Sequence, residues 1–242
     1  MKVRGIIAVK STLFLLSLLG YSTGYAQNAE SSNAERRRIF HAGFQAKGLF
    51  QWTEHEQAGF SDLGMRPGFA YGLNAEFGIT PNVLLHSGVF HEFRSFGIQF
   101  RDSAAASPKL VNTVFTAQYL NVPFGLTMRT GRIADKWSVV FRAGLNSHFL
   151  LNSSVHREDA PGNGADEDGN PYLNSAWVGI YGDAGILYYF HEQTALSFQV
   201  GYSGGLSSIL ASNAYPFMVG DAWNNPGNSR LNTIHVSVGI LF

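Results

Sequence analysis

Eight runs of this 242-residue chain alternate apolar and polar residues with period two, most of them over about 10 to 14 residues. Side chains alternate across a strand, so each run has one apolar face and one face of Gly, Ser, Asn, Gln and scattered charge. Soluble strands average about 5 to 6 residues. No amphipathic helix competes with this pattern. The runs are 39–52, 68–80, 82–100, 118–130, 136–150, 176–190, 194–204 and 231–242. In the first, Phe40, Ala42, Phe44, Ala46 and Phe50 oppose His41, Gln45, Lys47 and Gln51. In the third the regularity fades after Phe93. The last runs to Phe242 itself, with Ile234, Val236, Val238 and Ile240 on the same face.

The connections alternate in length. Short turns fall at 80–82, 130–136 and 191–194, and long polar segments at 53–66, 101–112, 152–173 and 206–231. An even strand count with short turns at one end and long loops at the other is the layout of an outer-membrane barrel. A soluble sandwich would bury the apolar faces. A barrel turns them to lipid and closes, because an open edge in hydrocarbon leaves backbone groups unsatisfied. About 10 tilted residues span the bilayer core, and Trp52, Tyr119, Trp137, Tyr188, Tyr189 and Phe190 lie near strand ends, where aromatic girdles form. The expected fold is all-β: an eight-stranded antiparallel up-and-down transmembrane β-barrel.

The rest of the chain fits that setting. Lys2, Arg4 and Lys10, the apolar stretch from Leu13 to Leu19 and the small residues around Ala26 read as a cleaved signal peptide over 1–26. A short periplasmic segment over 27–38 follows, then the barrel over 39–242. The expected location is the outer membrane of a Gram-negative bacterium, with both termini periplasmic. The absence of cysteine argues against a lipoprotein and a disulfide scaffold. Charged residues make up 14% of the chain, well under the ~25% of soluble proteins. No basic stripe suits nucleic acid.

The stretch "QYLNVPFGLTMR" (118–129) resembles the "YLEIP-L-L" strand of the PorT-like outer-membrane β-barrel family of the Bacteroidota, with Asn121 where an acidic residue is commoner. "FRAGLNSHFLLNSS" before a long loop and "YGDAGILYYF" are similar to other strands of that family. The resemblance extends over 39–242 and implies an eight-stranded barrel of the OmpA-like class. It also implies no established enzymatic activity, and in one branch a link to type IX secretion.

Candidate residues follow from the faces. Lys47, Glu76, Arg129, Arg142, Asp183 and Gln199 point into the lumen and are expected to form a polar network, since buried charges must pair; Glu76, Arg142 and Asp183 are its natural centre. Tyr215, Phe217, Met218 and Trp223 form an apolar patch in the last long loop, a candidate contact surface. Val238, Ile240 and Phe242, with Tyr202 on the preceding strand, are the candidate assembly signal. The acidic loop 156–171 lacks the spacing of an EF-hand. A lipid-modifying enzyme would need a Ser–His pair near the rim. Ser147 and His148 face opposite sides, His86 and His91 are mismatched in parity, and Ser154 and His156 fall where a loop is expected. No catalytic residue, metal or cofactor is therefore assigned. The expected partners are outer-membrane lipid, the barrel-assembly machinery and other envelope proteins, with the barrel itself monomeric. The expected role is non-enzymatic, structural or interactive in the envelope. An accessory of a secretion machine is the alternative; a lipid-modifying enzyme or a narrow pore ranks below it.

Overall fold

All eight alternating runs fold as strands. The computed structural model describes residues 40–56, 59–102, 109–158, 164–191, 194–212, 214 and 228–242. The signal and linker segments, the loop patch Tyr215, Phe217, Met218 and Trp223, and part of the acidic loop lie outside the described residues. The barrel strands are β1 (Phe40–His55), β2 (Arg66–Gly78), β3 (Val83–Asp102), β4 (Lys109–Arg129), β5 (Trp137–Glu158), β6 (Ala176–Tyr189), β7 (Ala195–Gly205) and β8 (Ser229–Leu241). Each pairs antiparallel with its sequence neighbours, and β1 pairs β8 to close the sheet.

The register fixes the barrel's dimensions. Stepping across paired residues from Ala42 leads through Ala75, Ser87, Phe124, Leu145, Ile180, Gly204 and Asn232 to Trp52. The circuit returns to β1 ten residues further along. With ordinary strand spacing and rise, eight strands and this stagger give a tilt of about 40° and a radius of about 8 Å. Each residue then climbs roughly 2.5 Å along the axis, so an apolar band about 25 Å tall needs only about ten residues per strand.

That band is present. Phe44, Phe69, Leu73, Val89, Phe124, Phe141, Ile180, Val200 and Val236 are all exposed on the outer wall. The inner wall is glycine-rich because the lumen is narrow. A Cβ on Gly125 would lie 2.2 Å from the Ala143 carbonyl oxygen and 2.8 Å from the Tyr181 hydroxyl, and Gly144 is directly paired with both Gly125 and Tyr181. The ring of Phe90 likewise crowds Gly72 and Gly88.

Three strands are far longer than the band. β3, β4 and β5 have 20, 21 and 22 residues. Much of what the sequence suggests as long loops at 101–112 and 152–173 is therefore paired strand. β4 begins nine residues before the alternating run at 118, and β5 continues to Glu158. The strand Gly164–Asp168 then pairs back onto β5, and Phe60–Asp62 within 53–66 pairs onto β3. The expected polarity fails there for a physical reason. Above the bilayer the outer face meets water and the inner face becomes a core, so the pattern inverts. Phe96, Ile98, Phe100, Val111, Phe115 and Tyr119 all point inward and pack with Val155, Leu173, Trp177, Ile209 and Leu231. A bulge between Gln118 and Tyr119 leaves Leu151 unpaired and switches the inward parity of β5 from His148 to Ser153 and Val155.

Candidate functional site: the packed lumen

From the short-turn end upward, the lumen is filled in tiers. At the bottom, Val140, Leu187 and Ala195 pack with Tyr189. Above them Glu76 on β2, with no exposed surface, receives Arg129 from β4 and Arg142 from β5, the latter at 2.8 Å. The Thr127 hydroxyl adds a bond to Glu76 at 3.2 Å. Arg142 also donates to Gln199 on β7 at 2.8 Å, and Gln45 on β1 donates to Ser237 on β8 at 2.8 Å. One carboxylate thus bridges two guanidinium groups inside a wall that faces hydrocarbon. Removing either sign would strand the other.

Of the six lumen candidates, this tier brings together Glu76, Arg129, Arg142 and Gln199. The other two behave differently. Asp183 lies opposite Arg142 in the β5–β6 register, but its carboxylate accepts from His235 on β8 at 2.9 Å, so it heads a separate pair. Lys47 lies with its ammonium 4.2 Å over the Phe90 ring, a cation–π contact.

A second ionic tier lies beneath the apolar cap and is absent from the sequence expectations. Glu92 on β3 accepts from Arg94 at 2.7 Å, Asn121 at 2.7 Å and His148 at 3.1 Å. Arg94 reaches on to Gln51 at 3.2 Å and Thr233 at 2.9 Å. The His148 ring stacks on Trp177 at 3.7 Å, and Tyr119 stands edge-on to both. The available signal was parity: Phe90, Glu92, Arg94 and Phe96 continue one face of β3 past Phe93.

The chemistry of this tier is limited by its surroundings. A carboxylate orienting an imidazole is two-thirds of a nucleophilic triad. His148 is fully buried, however, and its Nε2 has no hydrogen-bond partner among the described residues. Ser154 and His156 do share a face, since β5 persists there, but it is the exposed outer face. Among the described residues no group of three or more His, Cys, Asp or Glu could hold a metal ion.

The candidate assembly residues are divided between the two ends. Val238, Ile240 and Phe242 lie on the outer wall at the short-turn end. Tyr202 pairs with Ile234 higher up, where it packs 6.3 Å from Trp52 and its hydroxyl donates to Asn232 at 3.0 Å. Tyr202 thus belongs to the girdle at the opposite end.

A closed antiparallel sheet with an apolar outer wall and a charged, glycine-lined interior defines a transmembrane β-barrel of the Gram-negative outer membrane. The sequence profile described as "Outer membrane protein beta-barrel domain" matches residues 25–211, and the chain belongs to that family. No curated protein matches it in sequence. Among solved structures it is similar to Ail of Yersinia pestis, at 11% identity over 85% of this chain and 100% of that one, with a TM-score of 0.38. Neisserial surface protein A is similar at 13% identity over 84% and 96%, with a TM-score of 0.41. The N-terminal barrel of Pseudomonas aeruginosa OprF is similar at 11% identity over 82% and 97%, with a TM-score of 0.31.

Proposed function

We propose that this barrel is a non-enzymatic interaction protein of the cell envelope, working through the structure it raises at its long-loop end. The observation that carries this reading is the filled lumen. Apolar clusters lie near both ends, and two ionic tiers between them use their charges on one another. A barrel about 8 Å in radius filled by side chains has no room for a water column. Among the described residues the Glu92–His148 pair lies under the cap with no hydroxyl nucleophile bonded to it, which speaks against a lipid-modifying enzyme.

In this reading residues 1–26 are the export signal, 27–38 a periplasmic segment, and the short-turn end, with both barrel termini, faces the periplasm. The long β3–β5 hairpins and the last loop face outward. Val238, Ile240 and Phe242 are read by the assembly machinery. The stretch 118–129 that resembles the PorT-like family forms the lower half of β4, which supports that finer kinship and keeps secretion accessory as the second reading.

Two measurements test the proposal. In planar bilayers the purified protein should give no ion-conducting steps, and steady conductance would overturn the filled lumen. Pull-down from detergent-solubilised envelopes should recover a defined partner with the full chain and lose it when residues 212–227 are replaced by a short linker. Recovery of secretion-machine components would favour the second reading. Changed lipid composition in a deletion strain would favour an enzyme.

A further inference from the structure

Pro123 interrupts the barrel wall at mid-bilayer depth. The Arg129 N–H donates to the Asn82 carbonyl at 2.9 Å, so even-numbered β3 residues and odd-numbered β4 residues form the hydrogen-bonded pairs of this ladder. Gly88 opposite Pro123 belongs to that set. Proline has no N–H, and the Gly88 carbonyl is left without its ladder donor. Pairing lapses at Gly88 and Val89, between Ser87↔Phe124 and Phe90↔Asn121, the one such gap in the β3–β4 ladder. Carbonyls of alternate residues point to opposite neighbours, so this one cannot turn to β2. The Ser87 hydroxyl donates to the Pro123 carbonyl at 3.1 Å, which serves the proline side and leaves Gly88 as it was. Outward-facing Leu85 and Leu126 lie below the gap and Phe93 and Phe69 above it, so the acceptor sits inside the apolar band.

A second observation starts at the same spot and runs upward from it. The outer walls of β1, β6 and β8 within the band carry only Ala, Gly and large apolar residues. Beside the gap the outer wall instead presents Ser87 and Ser147, and above it, toward the long-loop end, Tyr71, His91 and Gln118. Tyr71 and His91 are hydrogen-bonded at 3.2 Å and His91 and Gln118 at 3.3 Å, while Ser147 pairs with Val122 beside Pro123. Polar side chains facing lipid are costly unless something polar reaches them.

We propose that the Gly88–Pro123 gap is a hydration site on the lipid-facing wall. One water molecule donates a hydrogen to the Gly88 carbonyl and the other to the Ser87 hydroxyl oxygen, whose own hydrogen is committed to Pro123. The surrounding polar patch marks the route by which water reaches it from the nearer interface.

Solid-state NMR of the labelled protein in phospholipid bilayers tests this through polarisation transfer from water to backbone amides. Transfer at Gly88 to Phe90 should exceed that at Val200 and Val236, paired residues at about the same depth, by at least fivefold. Pro123→Ala restores the missing donor and should bring transfer down to the Val236 level. Ser87→Ala removes one anchor and should at least halve it, which keeps the test open should Pro123→Ala fail to insert. Transfer at Gly88 no greater than at Val236, or unchanged in the variants that insert, would overturn the site. Persistence of transfer in D2O with protonated lipid would assign the donor to lipid and overturn water as the occupant.

Discussion

Phe242 and Ala42 exchange both backbone hydrogen bonds: the Phe242 N–H donates to the Ala42 carbonyl at 2.8 Å, and the Ala42 N–H donates to the Phe242 carbonyl at 3.3 Å. The two strands that close the barrel are thus zipped from their lowest residues upward to His55↔Ser229. This pair also sets the parity of the seam. Outward-facing residues such as Ala46 and Val238 form hydrogen-bonded pairs, and inward-facing ones such as Lys47 and Ser237 do not.

Glu76 is the keystone of the lower ionic tier. Glu76→Gln keeps the shape but leaves Arg129 and Arg142 uncompensated, and should destabilise the barrel by about 3–5 kcal/mol. Replacing Glu76, Arg129 and Arg142 together by Met should recover most of that loss, because no charge is then stranded. Urea unfolding in detergent micelles, followed by tryptophan fluorescence, measures both. A fully stable Glu76→Gln protein would show that the network carries no structural burden.

Gly144 permits a close approach of β4 and β5 in the wall. A Cβ there would lie 2.2 Å from the Phe124 carbonyl oxygen and 2.6 Å from the Gly125 Cα, both backbone atoms that cannot swing away. Gly144→Val should therefore block folding outright, exceeding the roughly 1–3 kcal/mol of ordinary overpacking. Gly182→Ala on β6, which meets no atom closer than 4.0 Å, should fold normally. The folded fraction on unheated gels distinguishes them.

The turn between β4 and β5 places Ala134 and Asp135 at φ of 50° and 59°. These are left-handed values, which favour Asn or Gly, within the turn that the Ile133–Trp137 pair closes. Ala134→Gly should raise stability by about 0.5–1 kcal/mol, since the side chain is exposed and only backbone preference changes. An unchanged or lowered unfolding midpoint would contradict it.

What was legible in the sequence follows from what the bilayer enforces. Within the apolar band, period-two alternation is a direct record of lipid outside and lumen inside, so the eight strands, Glu76 with Arg142, and the outward Phe44 and Val236 could be read. Beyond the band the same strands continue with opposite polarity, and Phe96, Ile98 and Phe100 then resemble a fading pattern when they are the core of the raised end. Glu92 and Arg94 lie at that changeover, which is why the upper tier was missed. The pairing of Asp183 with His235 depends on how far side chains reach across the lumen, and alternation records only which wall a residue faces. Tyr202 shows the same limit in the other direction: its face was evident, its height was not.

Closure by β1 and β8 is the central claim, and a disulfide across that seam tests it most directly. The chain has no cysteine, so Ala46→Cys with Val238→Cys introduces the only pair, at directly opposed outward positions. Hydrogen-bonded antiparallel partners lie about 5.5 Å apart at Cα, within the range a disulfide spans. In the membrane-inserted protein, mild oxidation should cross-link this pair almost completely. Ala46→Cys with Gly239→Cys, one residue out of register and facing inward, should stay reduced. Cross-linking of Ala46→Cys to Tyr71→Cys on β2, with none to Val238→Cys, would show an open sheet and contradict the barrel.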